Sequence, residues 1–131
     1  MPDPTRPRIL IVEDDPALSR VLALLLHTRG YDTETAENGQ VGFAALQRSL
    51  PDCVILDLMM PVMDGFELLK RIRSVGRTSR LPVVILTASE DERHRIKTTQ
   101  YLADAYANKP YDVDALVATV GRLLAARSPA G

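Results

Sequence analysis

At 131 residues, 46% hydrophobic and 25% charged, the chain is long enough for one domain with a buried core. A net charge of -1 argues against a general nucleic-acid or membrane-surface binder, and a single cysteine, Cys53, excludes an internal disulfide framework and fits a reducing cytoplasm. No apolar run approaches the roughly 20 residues of a membrane span, and the opening Met-Pro-Asp-Pro-Thr-Arg-Pro-Arg is no signal peptide. Residues 1–7 read as a flexible tail.

Ile9 to Val12 form a short apolar run ending in Glu13, Asp14 and Asp15. Pro16 suits the first position of a helix, and Asp15 suits its N-cap, which removes Asp15 from the candidate site. Leu18, Val21, Leu22 and Leu25 recur at helical spacing and predict the face packed on a sheet. Gly30 is placed to end that helix. His27, near its end, reads as a surface histidine facing the helix dipole. Tyr31 to Ala36 alternates polar and apolar residues, as an edge strand would. A helix over Gln40–Ser49 puts Val41, Ala44, Ala45 and Leu46 on one side.

Cys53, Val54, Ile55 and Leu56 then run straight into Asp57, with Pro61 and Asp64-Gly65 turning the chain soon afterwards. Such a run predicts a strand buried on both faces that presents a carboxylate at its carboxyl end, where open α/β sheets bind ligands. Asp57 could equally just end a strand or cap a helix. Cys53 reads as a buried structural thiol. Phe66, Leu68, Leu69 and Ile72 predict another helix, with Lys70, Arg71 and Arg73 on its wet face.

Pro82 to Leu86 is a fourth apolar run, ending in Thr87-Ala88, and Ser89-Glu90-Asp91-Glu92 reads as a capping box. The helix it would open is poor in apolar residues, so little burial holds it down. His94 on it reads as solvent-exposed. Asp104 to Ala107 predicts a short strand before Asn108-Lys109-Pro110; lysine is scarce here, only Lys70, Lys97 and Lys109. Asp112 would cap a last helix with Val113, Leu116, Val117, Val120 and Leu124 as its core stripe. The folded domain is expected over residues 8–127, with 128–131 a short tail. Strand and helix alternate about five times, the pattern of an α/β protein with a doubly wound parallel sheet. No Gly-x-Gly-x-x-Gly and no Walker-type Gly-Lys-Ser/Thr supports nucleotide binding.

In a parallel sheet Glu13, Asp14, Asp57, Thr87 and Lys109 would all emerge at one edge. Three gathered carboxylates repel one another unless a cation neutralises them, and hard oxygen donors suit Mg²⁺, with Mn²⁺ as a substitute. A carboxylate beside Mg²⁺ and an ammonium can attack phosphorus and form an acyl phosphate. Lys109 would neutralise one phosphoryl oxygen and Thr87 would donate to another.

Ile-Val-Glu-Asp-Asp, Asp57-Leu-Met-Met-Pro-Val-Met-Asp-Gly, Leu-Thr87-Ala and Lys109-Pro110, in this order, resemble the receiver domain of two-component response regulators, the chemotaxis-regulator type included. The resemblance implies a five-stranded parallel sheet of order 2-1-3-4-5, the flavodoxin-like (βα)5 fold. It implies that Asp57 accepts phosphate from a phosphohistidine on a sensor histidine kinase or phosphotransfer protein. It implies Mg²⁺ bound by Asp14 and Asp57, by Glu13 through water, and by the backbone carbonyl of Met59. Thr87 and Lys109 would contact the phosphoryl group, and Tyr106 would be the switch aromatic that follows Thr87. The surface made by the fourth predicted helix, the last strand and the last helix would then change for a downstream protein, an output domain or a second copy of the chain.

Three positions depart from the family pattern. Leu102 stands where glycine is common, and Ala105 and Thr119 stand where an acid and an arginine often form dimer salt bridges. Met59, beside the acceptor, holds an attacking water poorly, so slow self-dephosphorylation is expected. Two other readings share parts of this pattern. One is a pseudo-receiver that binds partners without taking phosphate; the other is a metal-dependent phosphatase, which needs a second acid shortly after Asp57 that Leu58 to Val62 does not supply.

Overall fold

A computed structural model describes residues 6–58, 64–87, 103–108 and 112–126. In chain order they form β1 (Arg8–Val12), α1 (Pro16–Thr28), β2 (Asp32–Ala36), α2 (Gly39–Arg48), β3 (Cys53–Asp57), α3 (Gly65–Ser74), β4 (Val83–Thr87), β5 (Ala105–Asn108) and α4 (Val113–Ala126). The helix expected from Ser89, with His94, and the expected turn at Leu102 lie outside the described residues.

All four strand pairings are parallel and the order is β2-β1-β3-β4-β5. That is the expected doubly wound, flavodoxin-like sheet. The most apolar strand, β3, sits at its centre with all five residues buried. The polar β2 takes an edge, as its alternation requires.

Strand periodicity divides the core in two. Leu10, Val12, Val54, Leu56, Val83 and Ile85 face one side, against Ala45 and Leu46 of α2 and Leu68, Leu69 and Ile72 of α3. Ile9, Ile11, Cys53, Ile55, Val84 and Leu86 face the other, against Leu22 and Leu26 of α1 and Leu116 and Val120 of α4. Cys53 is the buried thiol expected. Truncating Ile55, fully buried at the centre, to alanine would cost about 2–5 kcal/mol.

The helix ends follow their capping residues. The Asp15 carboxylate accepts from the N–H groups of Ala17 and Leu18, with Pro16 in the first position. Gly30 adopts φ 101°, its N–H donating to the His27 carbonyl while that of Tyr31 donates to Leu26. This is a Schellman ending, which needs the left-handed conformation that glycine adopts cheaply. Asn38 caps α2, Asp64 caps α3 and Asp112 caps α4.

Some expected faces are shifted. Val21 is 52% exposed while Ser19 and Leu26 are buried, because the parallel sheet meets α1 one side-chain row away from the stripe read by spacing. Val41 is exposed and Gly42 buried on α2, where the missing side chain lets the helix approach Val12. Arg73 is not on a wet face. Its side chain is only 12% exposed, and its guanidinium donates to the carbonyls of Leu81 (2.7 Å) and Ser79 (3.3 Å) and pairs with Asp104 at 2.8 Å. Arg71 does face outward, lying over the Phe43 ring and pairing with Glu67.

Arg6 is held against the body of the fold. It pairs with Asp32 at 2.9 Å and donates to the carbonyls of His27 and Tyr31. Since guanidinium only donates, the exposed His27 accepts at Nδ1, 3.1 Å away.

Candidate functional site

Parallel strands end together, so the acids that follow β1 and β3 in sequence meet in space. The N–H of Glu13 donates to the Ala36 carbonyl at 3.0 Å, extending the β1–β2 ladder by one residue and keeping Glu13 at the sheet. Glu13 is 3% exposed, and Asp14, one step further on, faces solvent. Asp15 is turned to the helix terminus and takes no part, as expected.

Asp57 is the last residue of β3 and is also 3% exposed. Leu58 stays attached to the sheet through its N–H to the Leu86 carbonyl (3.4 Å), and its own carbonyl accepts from Gly65 N–H at 2.9 Å. The chain just after the carboxylate is therefore held both to β4 and to the start of α3.

One oxygen each from Glu13, Asp14 and Asp57 fall within 4.8 Å of one another. At that separation each pair of unit charges repels by roughly 3 kcal/mol at an effective dielectric of about 20. A divalent cation among the three would add an attraction to each carboxylate that outweighs those repulsions. Three hard oxygens, two buried and one open to solvent, fit an ion such as Mg²⁺ that keeps part of its water shell. Among the described residues this is the one group of metal-ligating side chains.

The other candidates stand as follows. Thr87 is the last residue of β4, paired in register with Asn108, the last of β5. Lys109 follows Asn108 in the chain but, like Met59, lies outside the described residues. Tyr106 lies in β5, half-buried against the α2–α3 side of the core.

A cleft of about 390 Å³ opens beside the acids, lined by Glu13, Asp14, Ser19, Arg20, Thr35 and Glu37 among others. The last four drew no attention in sequence. For Thr35 and Glu37 the available signal was topological: once β2 is placed beside β1, the residues around the end of β2 must border those ending β1.

The response regulator receiver domain family matches residues 9–121. Over 118 residues the chain is 42% identical to the DNA-binding dual master transcriptional regulator RpaA of Synechocystis sp., covering 90% of this chain and 49% of that protein. The chain spans about half the length of the curated relatives it matches first. Among solved structures, the signal receiver domain of a histidine kinase from Syntrophus aciditrophicus is 33% identical, covers 95% of this chain and 96% of its own, and superposes with TM-score 0.85. The receiver domain of sensor histidine kinase PA1611 from Pseudomonas aeruginosa, with magnesium coordinated in its active-site cleft, is 26% identical. It covers 92% of this chain and 99% of its own at TM-score 0.84. No helix among the described residues is long and apolar enough to cross a membrane. Sheet order, the acids gathered at its carboxyl edge and these matches together place the chain in the response regulator receiver domain family, the signalling module of two-component systems.

Proposed function

We propose that Asp57 is the phosphoryl acceptor of this receiver, taking phosphate from a phosphohistidine on a sensor histidine kinase or phosphotransfer protein. One observation carries this: the Asp57 carboxylate ends the central strand within 4.8 Å of the Glu13 and Asp14 ligand oxygens. An Asp57 oxygen forms the new P–O bond as the P–N bond to the donor imidazole breaks, the electron pair going to that nitrogen. Asp14, Asp57 and Glu13, with the Met59 carbonyl, would hold Mg²⁺. The ion supplies positive charge that offsets the acids and the incoming phosphoryl oxygens.

Around that exchange, this chain's own groups have distinct tasks. Lys109 faces phosphoryl charge and Thr87 donates a hydrogen bond to it. Thr87 and Tyr106 carry the change outward, a population shift rather than a new fold. The responding surface comprises β5, α4 and the segment over 88–102, and it takes a downstream protein, an output domain or a second copy. No direct nucleic-acid or membrane contact is assigned to the receiver domain itself, and its setting is cytoplasmic. The chain is a signalling acceptor that assists its own modification, not a turnover enzyme on an external substrate. The folded unit is taken as residues 8–127.

Incubation with acetyl phosphate and Mg²⁺, read by intact mass, tests the proposal. A single added phosphate, absent in Asp57→Asn and in the presence of EDTA, is the expected result. No adduct under any condition overturns it in favour of a pseudo-receiver, and steady consumption of donor without an adduct in favour of a phosphatase. Met59 gives a second handle: phosphate should leave Met59→Asn faster than the unaltered chain, and equal lifetimes would contradict the role given to that side chain.

A further inference from the structure

Gly65 opens α3 and lies against the strand that carries Asp57. A Cβ built there would fall 2.5 Å from the Asp57 carbonyl oxygen and 2.5 Å from the Leu58 Cα, with Leu58 Cδ2 at 3.0 Å. The two closest atoms are backbone, which cannot rotate aside. At Gly42, by contrast, the nearest atom is a methyl of Val12 at 3.0 Å. Backbone torsion does not explain the residue either, since positive φ is found at Gly30 and not at Gly65. Glycine is demanded at 65 by closeness alone.

The same residue makes a directed bond just beyond that contact, its N–H donating to the Leu58 carbonyl at 2.9 Å. The contact acts on the Asp57–Leu58 peptide, which follows the Asp57 side chain, and the hydrogen bond acts on the Leu58 carbonyl just beyond it. On the opposite side, Leu58 N–H is bound to Leu86 of β4. The Asp57–Leu58 peptide is therefore gripped between β4 and the first residue of α3.

We propose that Gly65 is a positioning residue for the Asp57 carboxylate: its bare Cα packs on the Asp57–Leu58 peptide, its N–H holds the Leu58 carbonyl that follows, and the two keep Asp57 in reach of Glu13 and Asp14. This rests on Asp57 being the acceptor, as proposed above. Any side chain at 65 must push that peptide roughly 1 Å to regain ordinary contact with the backbone. A shift of that size in a reacting group can cost about a hundredfold in rate.

The test compares Gly65→Ala with Val120→Ala, a truncation in the buried stripe of α4 on the opposite side of the sheet. For each, Mg²⁺ affinity is measured by titration calorimetry and the rate of Asp57 modification by acetyl phosphate from intact mass. Far-UV circular dichroism confirms folding at the assay temperature. Gly65→Ala should bind Mg²⁺ at least about tenfold more weakly and be modified about a hundredfold more slowly. Val120→Ala, despite its lower Tm, should stay within about twofold on both counts.

Folded Gly65→Ala with unchanged Mg²⁺ affinity and rate would overturn the assignment, as would equal losses in Val120→Ala. If Gly65→Ala does not fold in buffer, all three proteins are compared in trimethylamine oxide, which favours compact states. Failure to fold even there would overturn it too, since Gly65 would then be needed for the fold rather than for the carboxylate. The unaltered chain separates the two proposals: if it takes neither Mg²⁺ nor phosphate, the role of Asp57 fails first.

Discussion

Among the described residues, acids meet bases along the amino edge of the sheet, and acids meet acids along the carboxyl edge. At the amino edge Arg6 pairs with Asp32, Arg8 with Glu34, and Arg73 with Asp104. There Asp52 also accepts from the N–H of Arg8, and Asp104 from the N–H of Val83. These carboxylates tie strand starts to their neighbours. At the carboxyl edge Glu13, Asp14 and Asp57 bring their oxygens within 4.8 Å of one another. One edge uses charge to close the fold, and among the described residues the other gathers three carboxylates where a ligand can answer them. The same residue types therefore have opposite consequences when removed.

The contrast is sharpest at Asp57. Asp57→Asn should abolish phosphate uptake entirely while raising Tm by a few degrees in metal-free buffer, because one repelling charge has gone. Intact mass and a thermal melt read the two effects, and a large fall in Tm would break the comparison. Asp14→Asn should weaken Mg²⁺ binding about tenfold to a hundredfold, measured by calorimetry, with the fold intact.

At the amino edge the pattern reverses. Asp104→Ala strips the largely buried Arg73 side chain of its carboxylate and the Val83 N–H of its acceptor. Urea unfolding should show a loss of about 2 kcal/mol, with phosphate uptake by the folded protein unchanged. Asp15→Ala should cost about 1 kcal/mol through the lost cap and leave Mg²⁺ affinity within about twofold, although Asp15 adjoins two site acids in sequence. The smallest effect belongs to the solvent-facing pair Arg48–Glu34, where Arg48→Ala should change stability by less than about 0.5 kcal/mol.

Much of this molecule was legible in the chain. The apolar run from Cys53 to Leu56 admits few readings other than a central parallel strand, and β3 is that strand. Asp15-Pro16, Asp112 and Gly30 announce helix ends through local hydrogen bonding and backbone freedom, which need no tertiary information. Helix faces were less legible. Spacing favoured Val21 and Val41 as buried, yet Ser19 and Gly42 took those places. Periodicity reports an apolar stripe but not how a small residue lets a helix rotate toward the sheet. Arg73 was misplaced for a related reason: its partners, Leu81 and Asp104, are 8 and 31 residues away in sequence.

By itself, the order of apolar runs and the acids that end them determined that this chain would be a parallel α/β fold with carboxylates at strand ends. Those are local properties, set by burial of β-branched residues and by the short reach of capping side chains. Folding alone decided that β1 and β3 lie side by side, so that acids 43 and 44 positions apart in the chain stand within 4.8 Å of one another. Folding also decided that the start of α3 presses on the peptide after Asp57, a contact between backbones that no pattern of side chains announces.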